Sequence, residues 1–299
     1  MVSTGTPSVS SAKFGYTVCH EASHPLRSET GLRDRRLRMS DIAKPDLADL
    51  KRAKTLLENP GLAAKMSAAL GSPIEKSVGL LPKSVQQGIH KATETAMMKA
   101  LDVAVKSLGD NTRRPAQSRL HKIAAATSGA VGGAFGLFAL SIELPVSTTI
   151  MLRSIADIAK SEGENIHYID TKLACLTVFA LGGNKTKKDD ATESGYFAAR
   201  AAMAGAVSEA TKFLAEKGFS KSGAPALLRL VSLISARFGI VVSEKAAAQA
   251  VPIIGAVAGG LINTLFIGHF QDMARGHFIV RRLEKIYGAE PVRLAYRDL

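Results

Sequence analysis

The sequence predicts an all-α fold, in which a single large helical domain is built around a central pair of glycine-rich, apolar helices. Three observations predict it. Alanine and glycine are abundant while aromatic residues make up only 5% of the chain, a composition that favours close-packed helices over strands. Apolar residues recur at helical spacing, as in Ile89, Met97, Leu101 and Leu108. No segment shows a convincing alternation of strands with helices, so a parallel sheet is not expected.

The first 38 residues differ from the rest of the chain. They are rich in Ser, Thr, Pro and Arg and lack apolar periodicity, which predicts a disordered extension. Met39 then opens a segment that reads like the natural start of a helical protein. We therefore expect residues 1–38 to be an extension, with Met39 as an alternative start, and residues 39–299 to form the helical domain.

The extension contains a short match to a zinc-protease motif. His20 to His24 read HEASH, and the H-E-x-x-H chemistry needs both histidines on one face of a helix. Pro25 follows directly and disfavours helical angles at His24, so the match is interpreted as chance. His269 and His277 have only Asp272 as a nearby carboxylate. The sequence therefore predicts neither a metal nor a cofactor.

A long uncharged stretch lies in the middle of the chain. It covers the 19 residues 124–142 and ends at Glu143. Its glycines miss the G-x-G-x-x-G spacing and no predicted strand precedes them, which argues against a nucleotide-binding loop. A helix of this length spans about 28 Å, close to the ~30 Å core of a bilayer. Its Ala and Gly content is weakly apolar, so a buried core helix and a membrane-dipping helix both remain open.

The same pattern returns near the carboxyl end. Residues 255–267 resemble residues 129–141, and both carry small residues four apart. Such spacing makes a flat strip that lets two helix backbones approach closely. We therefore predict that Gly129, Gly133, Gly255 and Gly259 line a helix–helix contact.

Charged residues inside the alanine-rich segments form the candidate site. An unpaired buried charge costs several kcal/mol, so these residues are expected to pair in one network, which is more often structural than catalytic. No G-x-S-x-G or C-x-x-C motif is present, and Cys175 lies in an apolar run that predicts a core residue. The candidates are Glu143, Arg153, Asp157, Arg200, Arg237 and Glu244.

The net charge of +13 is concentrated toward the amino-terminal part of the chain. Such a surface can attract anionic lipid or nucleic acid. Basic residues are not interleaved with aromatic ones, so nucleic acid is not expected as a partner. Two cysteines give no disulfide framework, which indicates a reducing compartment. We therefore expect a cytoplasmic protein, with an anionic membrane surface or a membrane protein as its partner at the inner membrane. The oligomeric state is left open.

Four segments form a recognisable set: residues 143–164, 173–183, 193–204 and 237–288. Together they resemble the EcsC protein family, and the resemblance covers roughly residues 40–290. The family is bacterial and is named from a gene beside an ABC transporter operon. The resemblance implies an α-helical protein that faces the cytoplasm and associates with membranes. It transfers no catalytic residue.

Two functions from different classes remain open at this stage. The first is a peripheral accessory factor at a membrane, linked by the resemblance to ABC transport or secretion. The alternative is a soluble hydrolase built on the buried Glu, Asp and Arg residues. The absence of a recognisable catalytic constellation in the sequence favours the first, so we expect binding rather than catalysis.

Overall fold

The computed structural model describes residues 42–58, 61–107, 137–182, 195–218, 224–250 and 256–299. Within these ranges it contains helices and no strand, which confirms the predicted all-α class. The helices are α1 (Lys44–Glu58), α2 (Leu62–Leu70), α3 (Ile74–Val78), α4 (Lys83–Ser107), α5 (Leu137–Ser161), α6 (Ile169–Leu181), α7 (Gly195–Lys217), α8 (Pro225–Gln249), α9 (Ala256–Tyr287) and α10 (Ala289–Asp298).

The longest helix, α9, lies at the centre of the domain. Its 32 residues contact α1, α2, α5, α6, α8 and α10. Phe266 and Phe270 of α9 pack with Phe179 of α6 and Phe238 of α8, and the neighbouring ring centroids are 5.1–5.4 Å apart. All four rings are fully buried. Four aromatic rings therefore form one cluster where three helices meet.

The remaining helices cover this centre. Helix α4 packs against α5, α6 and α8, and α7 packs against α6 and α8. Helix α7 contacts α9 through long side chains. Tyr196 contacts His277, and Arg200 contacts Glu284. A groove lies between these two helices and α6.

The two ends of the described chain are tied to α9. Asp49 of α1 accepts a hydrogen bond of 2.6 Å from Arg282, and Asp46 accepts one of 2.7 Å from Tyr287. The chain then turns at Gly288, whose φ of 89° is a conformation that glycine adopts readily. This turn folds α10 back so that Tyr296 is fully buried.

The predicted glycine contact falls mostly outside the described residues, which omit Gly129, Gly133 and Gly255. Gly259 is buried on α9. A close helix approach does occur on α9, but at Gly276: a Cβ atom there would lie 2.5 Å from Leu57 Cγ and 3.1 Å from the carbonyl oxygen of Ala53. Helices α1 and α9 therefore pack closely at a glycine that the strip pattern does not contain.

We expect Gly276→Ala to destabilise the domain by ~1–3 kcal/mol, because the added methyl group overpacks the α1–α9 contact. Gly205→Ala on α7 is the matched control, since a Cβ there meets nothing within 4 Å. It should raise stability slightly through helix propensity. Urea unfolding followed by circular dichroism measures both. If the two variants have the same free energy of unfolding, α1 can move away from α9 without loss of stability, and the prediction is wrong.

Candidate functional site

The first polar cluster, which we name the lysine centre, joins α5, α8 and α9. Lys245 Nζ donates to Glu143 Oε1 at 2.6 Å and to Asn263 Oδ1 at 2.9 Å. It also lies 4.8 Å from the centroid of the Phe266 ring. Lys245 and Asn263 are fully buried and Glu143 nearly so. The ammonium group thus has a carboxylate, an amide oxygen and a π face as partners inside the core.

Burial governs the ionisation of Lys245. It lowers the pKa of the ammonium group, while the adjacent Glu143 carboxylate opposes that shift. A buried ion pair with good geometry is costly to break, because removal of one partner leaves the other charge without compensation. The lysine centre therefore holds three helices together by electrostatic contacts.

The neighbouring residue Glu244 points to a different element. Its Oε2 accepts a hydrogen bond of 3.1 Å from the backbone N–H of Ala63, in the first turn of α2. The first N–H groups of a helix have no partner within that helix, so this carboxylate caps α2. Burial raises the pKa of Glu244 to about 7, although the Ala63 hydrogen bond lowers it and Glu75 raises it further.

A groove of about 520 Å³ lies between α6, α7 and α9. This volume is in the range of small-molecule sites. One part of the lining is apolar, from alanine, valine and methionine side chains. The polar part contains two arginines, a lysine, an aspartate, a histidine and three hydroxyl groups. The lining residues are Asp170, Ala174, Thr177, Arg200, Met203, Ala204, Val207, Ser208, Thr211, Lys212, Ala215, His277 and Arg281.

A chain of hydrogen bonds holds the inner wall of the groove. Arg200 makes a two-pronged ion pair with Glu284, at 2.7 and 2.9 Å, and donates to the Tyr196 hydroxyl at 3.2 Å. That hydroxyl lies 3.0 Å from His277 Nδ1. Burial, together with Arg200 and Arg281, lowers the pKa of His277 well below its ordinary value. The imidazole is therefore neutral at physiological pH.

Arg281 is the second arginine that lines the groove. It donates from Nε to Glu164 at 3.1 Å and from Nη2 to Asp170 at 2.7 Å. Glu164 also accepts from Lys285 at 2.8 Å and from the Thr171 hydroxyl at 3.0 Å. Burial raises the pKa of Glu164, but the hydrogen bonds from Lys285 and Arg281 outweigh it and leave the pKa lowered. This carboxylate is therefore ionised and serves to position Arg281.

The six predicted site residues are divided among these places. Glu143 belongs to the lysine centre, Arg200 to the groove, and Glu244 caps α2. Arg153 is exposed, Asp157 lies 4.0 Å from Lys160, and Arg237 is half-buried.

The predicted single network is therefore not what the described residues form. Asn263 and Glu284 are the α9 partners of the two main clusters. At a rise of ~1.5 Å per residue they are roughly 30 Å apart along α9. Charges that far apart pair locally, because each can be neutralised only by a side chain that reaches it.

Other residues considered from the sequence have clear positions. Cys175 is buried, and burial raises the pKa of its thiol, which makes it a poor nucleophile. His269 donates from Nε2 to the carbonyl of Gly182 at 2.9 Å, and burial lowers its pKa to about 4. No group of three or more potential metal ligands occurs in the described part of the chain. The HEASH segment lies outside the described residues.

One helix in the described ranges, α8, is long and apolar enough to cross a membrane by length and composition alone. Its most apolar window is 44% buried inside the domain. Phe238, Val241 and Lys245 on this helix are fully buried. The core helix of a soluble domain passes the same test.

The described residues form an all-helical protein that is organised around one long buried helix, α9, which carries several polar side chains. The model of the EcsC protein family matches residues 45–283. The chain belongs to this family, as the resemblance of its helical segments predicted. Comparisons with curated proteins and with solved structures gave no match.

The partners that the sequence reasoning missed share one property: they lie on α9 or face it. Lys245, Asn263, His277, Arg281 and Glu284 were not in the predicted set. Their signal was present as polar residues repeated within residues 263–285, a stretch that is otherwise apolar. Polar residues on a buried helix need partners, so this stretch could have marked the helix as the centre of the site.

We expect Lys245→Met to destabilise the protein by ~3–5 kcal/mol, because it leaves the Glu143 carboxylate buried without a counter-charge. The double variant Glu143→Leu with Lys245→Met should recover most of that loss, since no charge remains unpaired. Urea unfolding of wild type, both single variants and the double variant measures the coupling. Additive losses in the double variant would contradict a direct ion pair.

We expect the stability of the wild type to fall as pH rises through about 7. In the folded protein the pKa of Glu244 is raised from 4.5 to about 7, so between these values the folded state binds the proton more tightly than the unfolded state does. The stabilisation is complete below 4.5 and is lost on ionisation. Glu244→Gln should remove this loss, by up to about 3 kcal/mol at high pH.

Thermal unfolding across the pH range measures this difference. Glu216→Gln, at an exposed position of α7, is the control for the loss of a carboxylate. Parallel profiles for wild type and Glu244→Gln would contradict the assignment, because they would mean that Glu244 titrates alike in both states.

Proposed function

We propose that this EcsC-family protein is a peripheral accessory factor that binds the anionic inner face of the cytoplasmic membrane and serves a transport or secretion system there. The observation that carries the proposal is the position of the lysine centre. Glu143 directly follows the uncharged residues 124–142, and Lys245 directly precedes the uncharged residues 246–271. Since Glu143 and Lys245 are in contact, the two longest apolar stretches of the sequence begin or end at one place.

Exposed apolar side chains occur next to this place. Val146 lies one turn after Glu143 on α5 and is 46% exposed, and Leu261 lies two residues before Asn263 on α9 and is 42% exposed. Large apolar side chains at a surface next to two apolar stretches are typical of a membrane or partner contact. Because they are close to the lysine centre in the sequence, they support a membrane contact at this end of the domain.

Charge supports the choice of an anionic surface. Arg113, Arg114, Arg119 and Lys122 precede the first apolar stretch within ten positions of the chain. Basic residues beside an apolar segment are attracted to anionic lipid, by ~1 kcal/mol for each residue near the surface. Several side chains of α8 are fully buried, so this proposal places α8 in the core of the domain. The protein would then attach to the membrane at its surface, without a spanning helix.

Vesicle sedimentation tests the proposal. The full-length protein should bind vesicles that contain phosphatidylglycerol and bind pure phosphatidylcholine vesicles weakly, and high salt should reduce the binding. Leu261→Asp should weaken binding by about tenfold, because a carboxylate at the membrane boundary costs more than 1 kcal/mol. Ile286→Asp is the control: Ile286 is 60% exposed and lies roughly 37 Å further along α9.

The possible outcomes separate the explanations. Equal losses for both variants would contradict the assigned end of the domain. Retention by native membranes without binding to protein-free vesicles would replace lipid by a membrane protein as the partner. If the protein binds neither native membranes nor vesicles, membrane association is contradicted and the soluble hydrolase becomes the favoured alternative.

A further inference from the structure

A buried nitrogen with no hydrogen-bond partner among the described residues belongs to a residue that lines the groove between α6, α7 and α9. His277 lines the groove and is only 3% exposed. Its Nδ1 contacts the Tyr196 hydroxyl, while its Nε2 has no hydrogen-bond partner among the described residues. Buried polar atoms in proteins are nearly always satisfied. Since His277 lines the groove, a ligand that enters it can supply the partner that this nitrogen lacks.

The neighbouring hydrogen bonds determine which atom carries the proton. Arg200 can only donate, so the Tyr196 oxygen accepts from it. The single hydroxyl proton of Tyr196 is then available to His277 Nδ1, which accepts it at 3.0 Å. A neutral imidazole has one N–H, so the proton is on Nε2. The unpaired atom is thus a donor, and it requires an acceptor.

Further donors surround the same groove. Arg281 uses Nε and Nη2 for Glu164 and Asp170, and its Nη1 donates to none of the described residues. Lys212 is an exposed lining residue with a third positive charge. Asp170, the single acid in the lining, is already paired with Arg281. Both arginines of the lining are paired with carboxylates, so the charge in excess is that of Lys212. The groove therefore offers hydrogen-bond donors and one positive charge, which suit an oxyanion.

The rest of the lining is apolar. Ala174, Met203, Ala204, Val207 and Ala215 come from α6 and α7. A lining that is apolar with a few convergent polar groups is typical of small-molecule sites. The ligand that matches both parts has an anionic head and an apolar body.

We propose that the groove binds a small anionic amphiphile, whose carboxylate or phosphate accepts hydrogen bonds from His277 Nε2 and Arg281 while its alkyl chain packs on the alanine, valine and methionine side chains of α6 and α7. The proposal does not depend on membrane association. It is located by residues of α6, α7 and the carboxyl-terminal part of α9, whereas the proposed membrane contact is at the other end of α9.

Isothermal titration with soluble probes below their micelle concentrations tests the proposal. Dodecanoate and dodecyl phosphate should bind the full-length protein, and dodecyltrimethylammonium should not, because its head is cationic. Inorganic phosphate should bind at least about tenfold more weakly than dodecyl phosphate, because it lacks the apolar body. The last comparison separates a lipid-like ligand from a free oxyanion.

A pair of matched variants locates the binding. Ala204 and Ala202 are both exposed on α7, and only Ala204 lines the groove. Ala204→Trp should fill the groove and weaken dodecanoate binding by about tenfold or more, whereas Ala202→Trp should leave it unchanged. Circular dichroism checks that both variants remain folded. Equal effects of the two variants would overturn the assigned site.

Nitrogen NMR of ¹⁵N-histidine-labelled wild type gives an independent readout that needs no variant. Dodecanoate should shift the Nε2–H signal of one buried neutral histidine, as expected for a donor that gains an acceptor. Binding of the cationic probe, binding of inorganic phosphate as tight as that of dodecyl phosphate, or an unchanged histidine signal at saturation would each overturn the proposal.

Discussion

The burial of α9 is the constraint on which the described structure depends. This helix packs closely against six others and contacts α7 through side chains, yet it carries polar residues over much of its length. Each of them needs a partner because a buried polar group without one costs about 1–3 kcal/mol. Asn263 meets Lys245, His269 meets Gly182, His277 meets Tyr196, and Glu284 meets Arg200. These contacts specify which helix packs against each part of α9. Polar pairing therefore defines the arrangement of the helices more narrowly than apolar packing alone would.

The same constraint explains why the two proposed binding regions lie at opposite ends of α9. At the amino-terminal end the polar cluster is closed: Lys245 is fully buried and its ammonium group is surrounded by protein partners. At the carboxyl-terminal end the cluster borders the groove between α6, α7 and α9. Exposed Val146 and Leu261 lie near the first end, which suits the proposed membrane contact. At the second end His277 Nε2 has no hydrogen-bond partner among the described residues, which suits the proposed anionic ligand.

Sequence reasoning predicted the helical class and the family because both depend on local patterns, namely apolar periodicity and recognisable segments. It identified Glu143, Arg200 and Glu244 as residues that need partners, but it assigned those partners within its own list. Lys245 and Glu284 are 102 and 84 positions away from Glu143 and Arg200, and no local pattern gives contacts at such separations. Gly276 shows the same limit, since its requirement comes from Leu57 and Ala53 on a distant helix. Ionisation was equally unpredictable, because the pKa values of Glu244 and His277 depend on burial that only the fold determines.

Glu143 and His277 show two different roles for a buried polar residue in this fold. The Glu143 carboxylate is neutralised inside the core, so its loss affects stability first. His277 is neutral, and its Nδ1 is satisfied by Tyr196, so its second nitrogen can serve a ligand without a cost to the core. Arg200 connects these roles: its ion pair with Glu284 fixes the helix, and its hydrogen bond to Tyr196 sets the tautomer of His277. A change of the groove-lining residues of α7, such as Ala204 or Lys212, would alter ligand preference while the α9 pairs that hold the fold remain in place.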